Sequence, residues 1–256
     1  MFAVDWIALR TLLSKEVRRF AKVWSQTVVS PLVSTSLYFL VFGVALGSRL
    51  RNVGGVPYME YVVPGLIMLA MINAAFLNTS SSLFQSKING TVVDLLVAPI
   101  GPFEMLVAYL GAAMLRAFIV GTLVYGVAAA FVGPKLAHPG WTLLFSAAVT
   151  ASFAALGLIS ALWAEKFDHL AVVPNFVLTP LTFLGGVFYS VQMLPPPWDT
   201  LSRLNPILYM VNGLRYGILG VSDVPPGRAL ILLLTLLLLI LAAVARLLAR
   251  GYKLRS

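Results

Sequence analysis

From Ala229 to Ala245 the chain reads ALILLLTLLLLILAAVA, with no charge, glycine or proline. Such a run has no face to offer water. It is long enough to cross most of a bilayer, and in hydrocarbon a helix satisfies every backbone N–H and C=O internally. Five more apolar runs lie at about 28–47, 61–77, 105–132, 141–163 and 170–188. Only 11% of the 256 residues are charged and 60% are hydrophobic. A soluble domain carries about 25% charged residues. Soluble enzymes, fibres and disordered chains are therefore excluded, and the short alternating segments of a β-barrel are missing. The expected fold is an all-α integral membrane protein with six transmembrane helices.

The cations set the orientation. Arg10, Lys15, Arg18, Arg19 and Lys22 precede the first span, Lys87 follows the second, Lys166 the fourth, and Arg246, Arg250, Lys253 and Arg255 close the chain. That side holds eleven Lys and Arg; the other holds six, Arg49, Arg51, Lys135, Arg203, Arg215 and Arg228. The excess places both termini in the cytoplasm. The net charge of +9 is thus an orientation signal, and nucleic acid is not needed to explain it. Trp24, Trp141, Trp163 and Trp198 stand near span ends, as interfacial belts require. Residues 1–24 place Trp6, Leu9, Leu13, Val17, Phe20 and Trp24 three or four apart, with cations over most of the remainder. This is an amphipathic interfacial helix that either anchors to headgroups or docks a partner.

Reactive groups are few. His138 and His169 fall on opposite sides of the membrane and share no metal, and no zinc-ligand spacing occurs. There is no P-loop and no nucleophile elbow, so the chain holds no ATP-binding or catalytic motif of those kinds. Cysteine is absent, which excludes disulfides and thiolate chemistry. Asn78 and Asn89 match the glycosylation pattern but fall on or near the cytoplasmic side. Gly43-x-x-x-Gly47 offers a close helix contact. Charge inside a membrane is costly and functional by default. Only Arg116 lies well within a span, with no acid evidently paired to it; Glu60 and Glu104 stand at span ends. Proton or sodium coupling has too few groups to work with, so any driving energy comes from another chain.

Two connections differ from plain loops. Val92, Val93, Leu95, Leu96 and Val97 form a short apolar patch around Asp94, stopped by Pro99 and Pro102. It reads either as a headgroup-level turn or as a knob inserted into a cytoplasmic partner. From Tyr189 to Arg228 the chain passes Leu-Pro-Pro-Pro-Trp (194–198) and Asn205-Pro206, then ILYMVNGLRYGILGV, too short and interrupted to cross. A re-entrant external helical hairpin fits that stretch and caps the outer end of a pathway.

With these features the chain resembles the permease subunits of type-2 ABC exporters, which carry polysaccharides, lipo-oligosaccharides and drugs. The resemblance rests on LYFLVFG (37–43), VPGLIML (63–69), DLLVAP (94–99), VPNFVLTPLTFLGGVFYS (173–190), LPP (194–196), and LNPILYM with GLRYGILG (204–220). It implies that residues 25–253 form a type-2 ABC transmembrane domain. It also implies a homodimer, or two related chains, bound to two copies of a separate ATP-binding subunit. That partner binds ATP and Mg; this chain has no cofactor and no hydrolysis site. The resemblance further implies that Met1–Trp24 and the segment Phe84–Pro99 touch the ATPase, the latter as a coupling helix. Phe84, Lys87, Asp94, Leu95, Leu96 and Pro99 are its candidate contacts. Many relatives carry a basic residue before the Gly-Thr of that loop; here Ile88 and Asn89 precede Gly90-Thr91, and Asp94 stands in the acidic place. Glu165 and Lys166, with Asp168, form a second candidate contact.

The expected function is ATP-driven export across a bacterial inner membrane, with Tyr38, Phe39, Phe42, Phe183, Phe188, Tyr189 and Arg215 as candidate path or gate residues. Each aromatic has an alternative as lipid-facing or core packing. A path of aromatic and small residues suits an amphiphilic cargo. Two other functions compete: an ATP-independent carrier or channel, which needs intramembrane acids, and a lipid-modifying enzyme, which needs a cluster of catalytic groups. Neither requirement is met.

Overall fold

A computed structural model describes residues 5–46, 52–133 and 135–253, and they are almost entirely helical. In chain order the helices are α1 (Trp6–Lys22), α2 (Ser30–Tyr38), α3 (Tyr58–Ile88), α4 (Val92–Val97), α5 (Pro102–Val132), α6 (Pro139–Trp163), α7 (Phe167–Val172), α8 (Thr179–Phe183), α9 (Trp198–Leu204), α10 (Pro206–Leu219) and α11 (Pro226–Ala249). β1 (Asn52–Val53) and β2 (Val56–Pro57) make a small antiparallel pair leading into α3. The expectations for residues 1–4, Gly47, Arg49, Arg51 and Arg255 lie outside the described residues.

Among the described residues four helices, α3, α5, α6 and α11, are long and apolar enough to cross a membrane. Their punctuation is local chemistry. α5, α6, α10 and α11 each open with proline in the first turn, where the missing N–H costs nothing. Asn205 caps α10 by accepting from the Ile207 N–H at 2.9 Å, and Gly220 ends that helix in the left-handed region (φ 75°).

α3 is the central helix. Of its most apolar window 78% is buried, against 17% for α11, which turns most of its surface outward. α3 packs closely on α6 at Gly157, where a Cβ would collide with the Phe76 carbonyl and the Thr79 hydroxyl. Thr79 donates across the interface to the Ala154 carbonyl at 2.7 Å. Small residues and interhelical hydrogen bonds drive such packing in lipid, where burying apolar surface gains little.

Two expected spans take a different form. The first is one helical path, Ser25–Val29, α2 and Phe39–Leu46, with π-helical turns on both sides of α2. At a rise of about 1.5 Å per residue it is about 33 Å long. The fifth, expected at 170–188, is α7, a π-helical stretch Val173–Leu178 and α8, and its helix ends at Phe183. Pro174 and Pro180 remove donors within it, and Gly186 (φ 69°) turns the backbone out of helix. Residues 184–190 continue as a tight non-helical turn.

α1 buries a narrow stripe. Trp6 and Trp24 remain exposed, at 73% and 63%, while the buried line runs Leu12, Glu16, Phe20. α1 runs beside the first half of α5: the Asp5 N–H reaches Glu104, and Leu13 lies against Gly111. The four-residue spacing of Leu12, Glu16 and Phe20 puts an acid on the buried stripe.

Candidate functional site

A cleft of about 340 Å³ opens between α2, α3, α8 and one residue of α5. Its α2 wall is small and hydroxylated, with Ser30, Ser34 and Thr35; its α8 wall carries Thr179 and Thr182; α3 supplies Leu66, Leu69 and Asn73. Among the described residues Arg116 of α5 is the one charged group in the lining. Aromatic rings close one end. Phe188 stacks on Phe42 at 4.5 Å between centroids and also meets Tyr38 at 5.9 Å and Phe183 at 6.0 Å. Three candidate path residues thus converge on the ring of a fourth, Phe188. Phe39 is directed away, stacked on Phe131 of α5 at 5.7 Å. Tyr189 packs at the margin of the core and is not among the lining residues.

Arg215 lies apart from the cleft. It is buried (0% exposed) in α10 and does not line the cleft. Its guanidinium lies 3.8 Å above the Tyr61 ring. It donates to the Gly186 carbonyl at 2.7 Å and to Asn212 Oδ1 at 3.3 Å, and stands 4.0 Å from Asp223. Asp223 accepts from the Tyr61 hydroxyl (2.9 Å), the Ser190 hydroxyl (2.8 Å) and the Val191 N–H (3.3 Å). Tyr58 donates to the Phe188 carbonyl at 3.1 Å. α3, α10 and the turns at 184–191 and 220–225 are thereby clamped together, and the clamp fixes the turn that carries Phe188. A buried ion pair left with one partner costs about 3–5 kcal/mol, so Arg215 and Asp223 hold each other in place. α10 runs antiparallel to α6, with Gly213 against Phe145 and Gly217 against Thr142. Its first residues reach back to Leu181, whose carbonyl accepts from Asn205.

A second polar layer sits at the other end of α3. Glu16 (0% exposed) pairs with Arg19 at 3.1 Å and accepts from the Ser82 hydroxyl. Arg19 also donates to the Asn78 carbonyl (2.9 Å) and to Asn78 Oδ1 (3.1 Å). Arg116 approaches the same Oδ1 at 3.5 Å. Arg116 is about eleven residues into the expected third span, near the midplane, where a cation costs about 2.5–3.5 kcal/mol on insertion scales. Glu16 was not among the expected site residues. Its signal is in the sequence: it shares the face of Leu12 and Phe20, four residues from each.

The candidate ATPase contacts divide. Asp94, Leu96 and Pro99 are exposed on and after α4, as are Glu165 and Lys166 before α7. Phe84 and Leu95 are buried, and Phe84 meets the exposed Phe167 edge-on at 5.0 Å. These two belong to the core. Lys87 is committed elsewhere: its ammonium donates to the carbonyls of Ala161 (3.1 Å), Leu162 (3.0 Å) and Ala164 (2.9 Å). It caps the C-terminus of α6, where the helix dipole favours a cation. Glu165 pairs with Lys253 after α11. That hydrogen bond holds the Glu165 carboxyl below its usual range and lifts the Lys253 ammonium above its own. Among the described residues no group of three or more His, Asp or Glu is placed to hold a metal.

Against known proteins, a family model described as ABC-2 type transporter matches residues 7–219. The chain is 43% identical over 226 residues to the inner membrane transport permease YadH of Escherichia coli K12, covering 88% of each chain. It is 26% identical over 227 residues to nodulation protein J of Sinorhizobium fredii NGR234, covering 84% of this chain and 81% of the other. To nodulation protein J of Neorhizobium galegae it is 25% identical over 225 residues, 85% and 82% of the two chains.

Proposed function

We propose that this chain, which belongs to the ABC-2 type transporter family, is the permease of an ATP-driven exporter in a bacterial inner membrane. Two copies form the path and two copies of a separate ATP-binding subunit hydrolyse ATP with Mg. This chain contributes no hydrolysis site. The observation that carries the reading is the cleft: hydroxylated and apolar along its walls, with aromatic rings gathered on Phe188 at one end.

Six crossings are read from the four long helices together with the two π-interrupted paths at 25–46 and 167–183. Both termini are cytoplasmic, and α9 and α10 form a re-entrant pair that enters from outside and returns. The antiparallel course of α10 along the start of α6, and its reach to Leu181, support that reading. In this arrangement Phe188 and the Arg215 clamp lie at the external end, while α4 and the 164–168 turn face the cytoplasm.

The exposed face of α4, with Val93, Leu96, Val97 and Asp94, is the docking surface for the ATPase. Movement there passes directly to α3, and through Lys87 to the end of α6. ATP binding by the partner tilts these helices, and the two cleft walls part from the Phe188 ring. The test is reconstitution with the ATP-binding subunit in proteoliposomes. The intact complex stimulates ATP hydrolysis, and Asp94→Arg abolishes either assembly or stimulation. A variant that keeps both removes α4 from the coupling role. Ion-dependent flux through the chain alone contradicts the ATP-driven reading.

A further inference from the structure

The cytoplasmic polar layer holds two guanidiniums and one buried carboxylate. Arg19 takes that carboxylate, Glu16, at 3.1 Å. Arg116 is left with a 3.5 Å approach to Asn78 Oδ1, an oxygen that Arg19 already engages at 3.1 Å. Arg116 Nε is buried and has no hydrogen-bond partner. No Asp or Glu among the described residues lies within ion-pair distance of Arg116. A cation held within the membrane is stable only when its charge is met, and here the protein meets it poorly. Arg116 also lines the cleft, whose walls among the described residues are otherwise hydroxyl, amide and apolar groups without a carboxylate.

On the reading that this cleft is the export path, we infer that Arg116 is a binding site for the anionic headgroup of an amphiphile. A phosphate monoester matches the planar fork of a guanidinium, which offers it charge-assisted hydrogen bonds. Leu66 and Leu69 of α3 and Phe183 of α8 take the apolar part. The hydroxyls of Ser34 and Thr179 lie along the same cleft and suit the ester and glycerol oxygens. The site therefore discriminates by headgroup charge, and its ligand is a lipid-like anion.

The test uses the purified full chain in a neutral maltoside, titrated with dihexanoyl phosphatidic acid or dihexanoyl phosphatidylcholine and read by native mass spectrometry. A charge-assisted hydrogen bond of ordinary strength gives the phosphatidic acid about a tenfold preference. Arg116→Gln removes the preference and Arg116→Lys keeps most of it. The exposed cations of α1 attract anionic lipid as well, but they are unchanged in Arg116→Gln, so the difference between the proteins isolates the site. Ser34→Trp fills the cleft from α2 without touching Arg116 and also removes the preference, which keeps the test open if Arg116→Gln does not fold. Equal binding of the two lipids by the unaltered chain overturns the inference. So does a preference that survives both Arg116→Gln and Ser34→Trp. Inorganic phosphate that displaces the lipid at equal concentration marks a free-anion site and overturns the amphiphile assignment. The permease reading stands or falls separately, on stimulation of the ATPase.

Discussion

The two polar layers of this chain differ in completeness. Around Arg215 every buried side-chain polar atom of Tyr61, Asn212, Arg215 and Asp223 has a partner. Around Glu16 four do not: Glu16 Oε1, Asn78 Nδ2, Tyr109 Oη and Arg116 Nε. A satisfied buried network fixes one geometry; a partly satisfied one is poised to take water, ligand or a second arrangement. The first layer reads as a fixed closure behind Phe188. The second reads as the working end, where α1 and α5 pack together beside α3 and Arg116 reaches the cleft.

The contrast can be broken most forcefully at Arg215. Arg215→Leu strands Asp223 and is expected to destabilise the chain by about 3–5 kcal/mol, seen as a lower detergent melting temperature and loss of assembled protein. Little change in melting shows that the layer is not a clamp. Glu16→Gln keeps shape and the Ser82 contact but leaves Arg19 without its counter-charge. Its expected cost is about 1–3 kcal/mol, smaller because that layer is already incomplete. An equal or larger loss than Arg215→Leu reverses the comparison.

Lys87→Met uncaps α6 for about 0.5–1 kcal/mol. Its sharper readout is weaker ATPase stimulation, since Lys87 ties the end of α3 to the end of α6. Unchanged stimulation removes Lys87 from the relay. The exposed Glu165–Lys253 pair is expected to matter least. The carboxyl is depressed from its usual 4.5, so its contribution is present above that value and fades as pH falls through the lower folded value. The ammonium is raised from 10.5, so its contribution is present below that value and is lost as pH rises through the higher folded value. Glu165→Gln melting should match the unaltered chain at acid pH and differ only slightly at neutral pH.

Much of the architecture is legible in residue order. The run 229–245 became α11, and the runs at 61–77, 105–132 and 141–163 became α3, α5 and α6. Hydropathy reads such helices because lipid demands uniform apolar length. The same demand says little about where a helix is interrupted, so the π turns around α2 and the stop at Phe183 were not foreseen. Tyr38, Phe42, Phe183 and Phe188 did converge, since they border the apolar spans. The surroundings of Arg215 and Lys87 could not be read, because the Tyr61 ring and carbonyl near Arg215 and the Ala161, Leu162 and Ala164 carbonyls around Lys87 lie 154 and 74 or more residues away along the chain. Glu16 was hidden by the cations around it. Only its register with Leu12 and Phe20 betrays its burial.

The most direct measurement uses the absence of cysteine from the natural sequence. Ser34→Cys places a single thiol in the cleft, for labelling by a membrane-impermeant maleimide in oriented vesicles with the ATP-binding subunit present. A cleft closed outside by Phe188 and worked by ATP predicts labelling from the cytoplasmic face at rest and from the external face when ATP is trapped. External labelling at rest, or no change with ATP, contradicts a path closed at that end.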